Sequence, residues 1–222
     1  MPTIPASRVL RLTGPVNRVF ISVAAVAGVL FAVLSVLVVL HPGPFPFDGP
    51  AEVDVQAIDF APLAPFNTFV SALAGFVGVG VGVGIIVVTF IFRRAATPFV
   101  AFSAVYSAIY NLVNVIIRRP RPTGVSHTTH DLLGYSFPSG HVGFFVWVGV
   151  LALVLLARGL PRALYIVCGV LVAVVIVGAA ISRMYVGAHW LSDVVGGFLV
   201  GVCWTSLSLS FGRLTGPVFS PK

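Results

Sequence analysis

His189 and Asp193 stand four residues apart, the spacing that places two side chains on one face of a helix. A carboxylate beside an imidazole fixes its tautomer and supports the imidazolium that develops when the other ring nitrogen reacts. That second nitrogen is a nucleophile suited to phosphorus. His141 supplies another imidazole, able to protonate a leaving oxygen near neutral pH. Arg121 and Arg183 each carry a planar fork of donors that matches phosphate oxygens two at a time. Ser139 adds a hydroxyl. Gly140 lets the backbone approach an anion where a helix N-terminus presents free N–H groups. Pro138, just ahead, suits the start of such a helix. A nucleophile, an acid, an orienting carboxylate and a positive clamp are the parts an in-line phosphoryl transfer needs.

The elements that must position these residues are membrane helices. The chain has 222 residues, 58% hydrophobic and 9% charged. A soluble domain is nearer half apolar and a quarter charged, and a chain of this size has no interior large enough to hide the excess. A bilayer does. The length suits a single domain over residues 1–222. Spanning helices need roughly 20 mostly apolar residues. The runs Val19 to Leu40, Phe66 to Phe92, Pro98 to Ile117, His141 to Ala157, Ala163 to Ile181, and His189 to Phe211 meet that length. The expected fold is all-α, a six-span transmembrane bundle.

The first run follows Arg8, Arg11 and Arg18, but its apolar core is longer than that of a signal peptide and no small-x-small cleavage site follows. Residues 1–18 are therefore expected as an uncleaved cytoplasmic segment. Residues 41–65, rich in proline and acid, read as an external surface loop with room for a short interfacial helix. Val77 to Gly84 alternates valine with glycine. Length and context favour helix over strand, with Gly78 and Gly82, or Gly80 and Gly84, as close-packing pairs.

Charge sets the orientation. With the N-terminus inside, Arg8, Arg11, Arg18, Arg93, Arg94, Arg158, Arg162, Arg213 and Lys222 fall inside, while Arg118, Arg119, Arg121 and Arg183 fall outside. The bias satisfies the positive-inside rule. This threading brings every candidate group to the outer face. The third span ends into Arg118-Arg119-Pro120-Arg121-Pro122, the fourth begins at Pro138-Ser139-Gly140-His141, the fifth ends at Ser182-Arg183, and the sixth begins with His189 and Asp193.

These residues also resemble a family. Pro138-Ser139-Gly140-His141 and Ser182-Arg183-x5-His189-x3-Asp193 are similar to the second and third signatures of the type 2 phosphatidic acid phosphatases, and Arg121-Pro122 matches the end of the first. The resemblance covers roughly Asn114 to Asp193. It implies a phosphohydrolase that uses no metal or other cofactor and forms a phosphohistidine on His189. His141 would be the acid, Asp193 the orienter, and Arg121, Ser139, Gly140 and Arg183 the phosphate binders. It implies a membrane lipid phosphate or diphosphate as substrate, with a polyprenyl diphosphate such as undecaprenyl diphosphate favoured over phosphatidic acid. One position departs: the family lysine falls on Asn114, which donates a hydrogen bond but carries no charge. Arg118 or Arg119 is then a candidate substitute in the clamp. The competing reading is a catalytically weak or inactive relative that binds or moves a lipid phosphate.

The remaining features are bland. The net charge of +7 comes from residues placed singly or in pairs between apolar runs, with no aromatic-interleaved basic patch, so nucleic acid is not expected as a partner. Cys168 and Cys203 lie within apolar runs as small hydrophobes. His127, His130 and Asp131 lack a fourth ligand and read as a solvated loop, along with Ser126, Thr128 and Thr129, so no metal site is expected. Arg118 and Arg119 otherwise read as headgroup anchors. Trp147, Trp190 and Trp204 read as packing or interfacial groups, and Asn111 as a neighbour of Asn114 by helical spacing.

Overall fold

The computed structural model describes residues 17–59, 61–74, 76–123 and 134–219. Arg8, Arg11, Ser126 to Asp131 and Lys222 lie outside them. The described residues form helices α1 (Arg18–Leu40), α2 (Asp48–Gln56), α3 (Ala64–Ala74), α4 (Phe76–Phe92), α5 (Thr97–Ala104), α6 (Tyr106–Ile117), α7 (Gly140–Ala152), α8 (Arg162–Tyr185), α9 (Leu191–Ser210) and α10 (Gly212–Phe219). No strand occurs among them. Five helical stretches are long and apolar enough to cross a membrane, and the bent pair Ala64–Leu73 with Val77–Phe92 makes a sixth. The fold is the all-α six-span bundle.

Three spans are not single regular α-helices. The second is broken: α3 and α4 meet at 67°. The third is divided between α5 and α6, and the fourth ends in a π-helical turn, Leu153–Ala157. Arg93 Nη1 donates to the Leu155 carbonyl at 2.6 Å there, satisfying a backbone group the wider turn releases. The loop after α1 is not wholly a surface connection. It carries α2, whose Asp48 and Glu52 are buried while Phe47 and Val53 beside them are exposed. Asp48 points inward because the interior holds its cationic partner, Arg119.

The centre of the bundle is the pair α7 and α9, each with more than half of its spanning window buried, whereas α8 turns Leu164, Val167, Leu171 and Val174 outward. Small residues bring α7 and α9 together. A Cβ on Gly201 would stand 2.9 Å from that of Val146, and one on Gly143 would meet the Gly197 carbonyl at 3.3 Å. A Cβ on Gly197 would collide with the Ser139 carbonyl. Only hydrogen fits at Gly197, so the N-termini of the two helices sit side by side, and the Ser139 amide donates to the Asp193 carbonyl at 2.9 Å. The valine-glycine segment of α4 packs on one face only. Gly78 and Gly82 face Phe144 and Trp147, and Gly80 and Gly84 meet nothing.

Chain ends fix which groups share a depth. The Asn17 amide donates to the Ser210 carbonyl at 2.9 Å, joining the start of α1 to the end of α9. Asn17 also caps α1, accepting from the amides of Val19 and Phe20. At the other end, Arg119 after α6 donates to the carbonyls of Pro42 and Gly43 after α1. The polar residues of interest collect at this second end.

Candidate active site

His189 sits in the short connection between α8 and α9. Gly187, with φ of +67°, turns the chain at the end of α8, and the Ala188 amide donates back to the Arg183 carbonyl at 3.0 Å. His189 thus precedes α9, which starts at Leu191. The expectation that it shares a helical face with Asp193 is corrected. Its Nδ1 lies 3.9 Å from Asp193 Oδ2, beyond hydrogen-bond reach, and 2.7 Å from the Ser136 carbonyl. A carbonyl accepts only, so Nδ1 carries the proton and Nε2 keeps its lone pair. Asp193 is held elsewhere: Oδ2 takes the Trp190 amide at 2.8 Å, bracing the first turn of α9, and Oδ1 takes Arg119 at 2.6 Å.

The clamp gathers around this ring. Arg121, His141 and Arg183 all lie within electrostatic reach of His189. Burial first, then Arg121 and His141, hold the His189 ring well below the ordinary imidazole range, so it is neutral. The centroids of His141 and His189 are 6.4 Å apart, with the rings edge to face. Arg121 reaches the site from the loop after α6, with Nη1 on the Ala188 carbonyl at 2.6 Å. Burial lowers its proton affinity and the Asp193 charge opposes that shift.

Arg183 is buried near the end of α8. Its Nη2 donates to Asn67 Oδ1 at 3.0 Å and Ser71 Oγ at 2.6 Å, and its Nε has no partner. Ser139 is the N-cap residue of α7, yet its hydroxyl makes no capping bond and is likewise buried without a partner. A serine at that position ordinarily satisfies its own helix. Here it leaves its helix uncapped.

The remaining sequence candidates have other employment. Asn114 spends its Nδ2 on the carbonyls of Tyr135, at 2.9 Å, and Phe137, at 3.0 Å, pinning the approach to Ser139 rather than a ligand. Arg118 is exposed, and its Nε turns back to the Val115 carbonyl at 3.0 Å. Arg119 is wholly buried and ion-paired with Asp48 and Asp193; it is no headgroup anchor, because two carboxylates draw it inward. A Cβ on Gly140 would come 2.5 Å from the Tyr110 ring, so packing requires that glycine. Trp190 Nε1 donates to the Pro120 carbonyl, and Asn111 to Ser107 on its own helix. Among the described residues, no three His, Cys, Asp or Glu side chains group as a metal site.

Sequence reasoning missed Ser136, Asn67, Ser71 and Asp48. Ser136 acts through its main chain, which no residue type announces. Asn67 and Ser71 left a signal: two polar residues four apart at the start of an otherwise apolar span. Ser71 also hydrogen-bonds His141 through its main chain, so α3 supports the second histidine as well as Arg183.

This arrangement of buried arginines and paired histidines coincides with a match of the PAP2 superfamily profile to residues 95–215. The chain belongs to the PAP2 superfamily. Among curated relatives, an undecaprenyl-diphosphatase of Sulfolobus acidocaldarius is 34% identical over 110 residues, covering 49% of this chain and 44% of that protein. A phosphatidylglycerophosphatase B of Bacillus subtilis is 39% identical over 74 residues, covering 31% of this chain and 34% of that one. The matched segments thus span less than half of either relative. The crystal structure of a transmembrane PAP2 type phosphatidylglycerolphosphate phosphatase from Bacillus subtilis superposes with a TM-score of 0.69 at 21% identity, over 84% of this chain and 94% of that chain. At that identity the likeness speaks for the fold alone.

Proposed function

We propose that this PAP2 protein is a lipid phosphatase that hydrolyses a phosphate or diphosphate ester through a phosphohistidine on His189. The observation that carries the reading is the buried, unpartnered Nε of Arg183, a residue within electrostatic reach of two histidine rings 6.4 Å apart, together with the unpartnered hydroxyl of Ser139 two residues before His141. Unpaired buried donors cost stability and are kept where a ligand completes them.

In this mechanism the phosphate sits between the two rings, held by Arg121, Arg183 and Ser139. His189 Nε2 attacks phosphorus and the bond to the leaving oxygen breaks. His141 gives its proton to that oxygen, and the lipid product departs. Water then attacks the phosphohistidine, His141 takes a proton from it, and phosphate leaves with the ring restored. The guanidinium groups spread the charge of both in-line transition states, the part that a metal plays in many other phosphoryl transfers.

The single domain sits in the membrane with its active site facing outward, by the arginine bias of the loops. A polyprenyl diphosphate is the favoured substrate, supported by that orientation and by the activity named for the Sulfolobus relative. Phosphatidylglycerol phosphate is the alternative named for the Bacillus one.

A second reading, a binder or carrier of lipid phosphate, draws on one observation: the family's lysine position holds Asn114, whose amide donors are spent on the loop. One experiment separates the two. Purified protein is given a panel of lipid mono- and diphosphates in detergent with a chelator, beside His189→Ala. The phosphatase reading expects phosphate release by the parent and none by the variant. No release from any substrate, or release that stops with the chelator, contradicts it.

A further inference from the structure

Behind the ligand-facing groups lies a second charged cluster that the reaction as written does not use. Asp48, Arg119 and Asp193 are all fully buried. Arg119 donates from Nη2 to Asp48 Oδ2 at 2.9 Å and to the Gly43 carbonyl at 2.9 Å. It donates from Nη1 to Ser192 Oγ at 2.7 Å and Asp193 Oδ1 at 2.6 Å, and from Nε to the Pro42 carbonyl at 3.3 Å. All five donors of the guanidinium are taken. Asp48 accepts in turn from the Ser192 amide and hydroxyl, at 2.9 and 2.7 Å, and from the Phe45 amide at 2.9 Å.

Burying three charges is expensive, and such clusters are weak devices for stability alone. What this one does is geometric. By taking Oδ1 of Asp193, Arg119 leaves Oδ2 to the Trp190 amide, next to His189, and holds the carboxylate off the ring at 3.9 Å. The same residue acts from the other side through its main chain. Its carbonyl accepts the Ser136 amide at 2.9 Å, and the Ser136 carbonyl is the acceptor for His189 Nδ1. Arg119 therefore touches both groups that decide where the imidazole points. Asp48, on a helix of the loop after α1, secures Arg119 and the first turn of α9 together.

We infer that the side chains of Asp48 and Arg119 are positioning groups for His189, setting the aim of the ring through the placement of Asp193. The inference rests on the reading of His189 as nucleophile.

The test uses the full chain in detergent, as parent, Asp48→Asn, Arg119→Gln and the double variant. Turnover is read as kcat and KM separately, and binding as Kd for inorganic phosphate and for orthovanadate. Phosphate needs only the clamp. Vanadate in its five-coordinate form bonds to the ring nitrogen and so reports the aim of His189. Arg119→Gln is expected to lower kcat roughly 10- to 100-fold, on the scale found for partners that orient metal-bound histidines, with KM unchanged. Adding Asp48→Asn to it brings less than the product of the two single losses, since Asp48 acts largely through Arg119. Vanadate affinity falls with kcat while phosphate affinity stays.

A rise in KM at constant kcat, or single losses that multiply in the double variant, overturns the inference. So does vanadate affinity equal in parent and variants. Should Arg119→Gln fail to fold, Asp48→Asn keeps the shape of the side chain and carries the same comparisons. A parent that releases no phosphate sinks the phosphatase reading, and the vanadate comparison then decides the positioning role by itself.

Discussion

Two buried serines, Ser139 and Ser192, mark the two halves of the polar end of this bundle. Ser192 Oγ is bonded to both Asp48 and Arg119, at 2.7 Å each. Ser139 Oγ is bonded to nothing. The difference extends to their neighbours. Around Ser192 the three charges satisfy one another without a ligand. Around Ser139 the positive groups outnumber the negative ones, Arg183 keeps an idle Nε, and a neutral imidazole waits. One half has its donors paired on folding, and the other keeps donors open, as the proposed phosphate site requires. Residue type does not separate them, since each contains arginine and serine. Pairing does.

The largest break of this contrast comes from His189→Asn. Asparagine keeps a donor for the Ser136 carbonyl and removes the nucleophile. Phosphate release is expected to fall about 10⁴-fold or more, as when other covalent nucleophiles are deleted. Inorganic phosphate should still bind, measured by calorimetry, because the clamp remains. Next comes Arg183→Lys, which keeps the charge and loses the fork. A fall on the order of 10²- to 10³-fold in kcat/KM is expected for losing a preorganised donor to the transition state. Retention of full activity would show that charge alone suffices and that the idle Nε has no part.

The pH response sharpens the contrast from the side of His189. Its folded ring takes a proton only well below the ordinary value of 6.5, because burial and then Arg121 disfavour the cation. An ordinary imidazole would lose about nine-tenths of its neutral form one pH unit below its pKa. The acid limb of kcat/KM should instead lie clearly below pH 6.5. Stability carries the matching sign. Between the folded value and 6.5 the unfolded chain holds a proton that the folded chain lacks, so stability falls as pH drops through 6.5. Thermal unfolding of the parent should show that fall, and His189→Asn should make it shallower.

Much of this was legible before any coordinates. Hydropathy gave the spans, because a helix in lipid has to bond its own backbone and hide behind apolar residues. The convergence of Arg121, His141, Arg183 and His189 followed from threading those spans. What stayed hidden were relations made by the main chain or between distant polar residues. Ser136 reaches His189 by a carbonyl, and every residue has one. Asp48 looked like one acid among several in a loop, and its pairing with Arg119 depends on where α2 folds back. Glycine misled in the other direction. The conspicuous alternation in α4 leaves Gly80 and Gly84 open, whereas the plainer Gly196-Gly197 and Gly201 of α9 bring Ser139 to Asp193.

The smallest effects test the contrast most directly, through the two serines themselves. Ser192→Ala removes an acceptor from Arg119 and a donor from Asp48, leaving buried charges short of partners. A destabilisation of about 1–3 kcal/mol is expected. Ser139→Ala removes a hydroxyl that already lacks a partner, so the ligand-free protein has nothing to lose. Its stability should hold or rise by up to about 1 kcal/mol, while phosphate affinity drops roughly tenfold, the worth of one hydrogen bond to a charged group. Denaturation with and without phosphate reads both quantities from the same samples. The two curves should change order: Ser139→Ala at least as stable as the parent alone, and less stable than it when phosphate is present. If instead Ser139→Ala is destabilised without ligand, its hydroxyl is bonded in solution, and the half of the site that waits for an anion is smaller than drawn here.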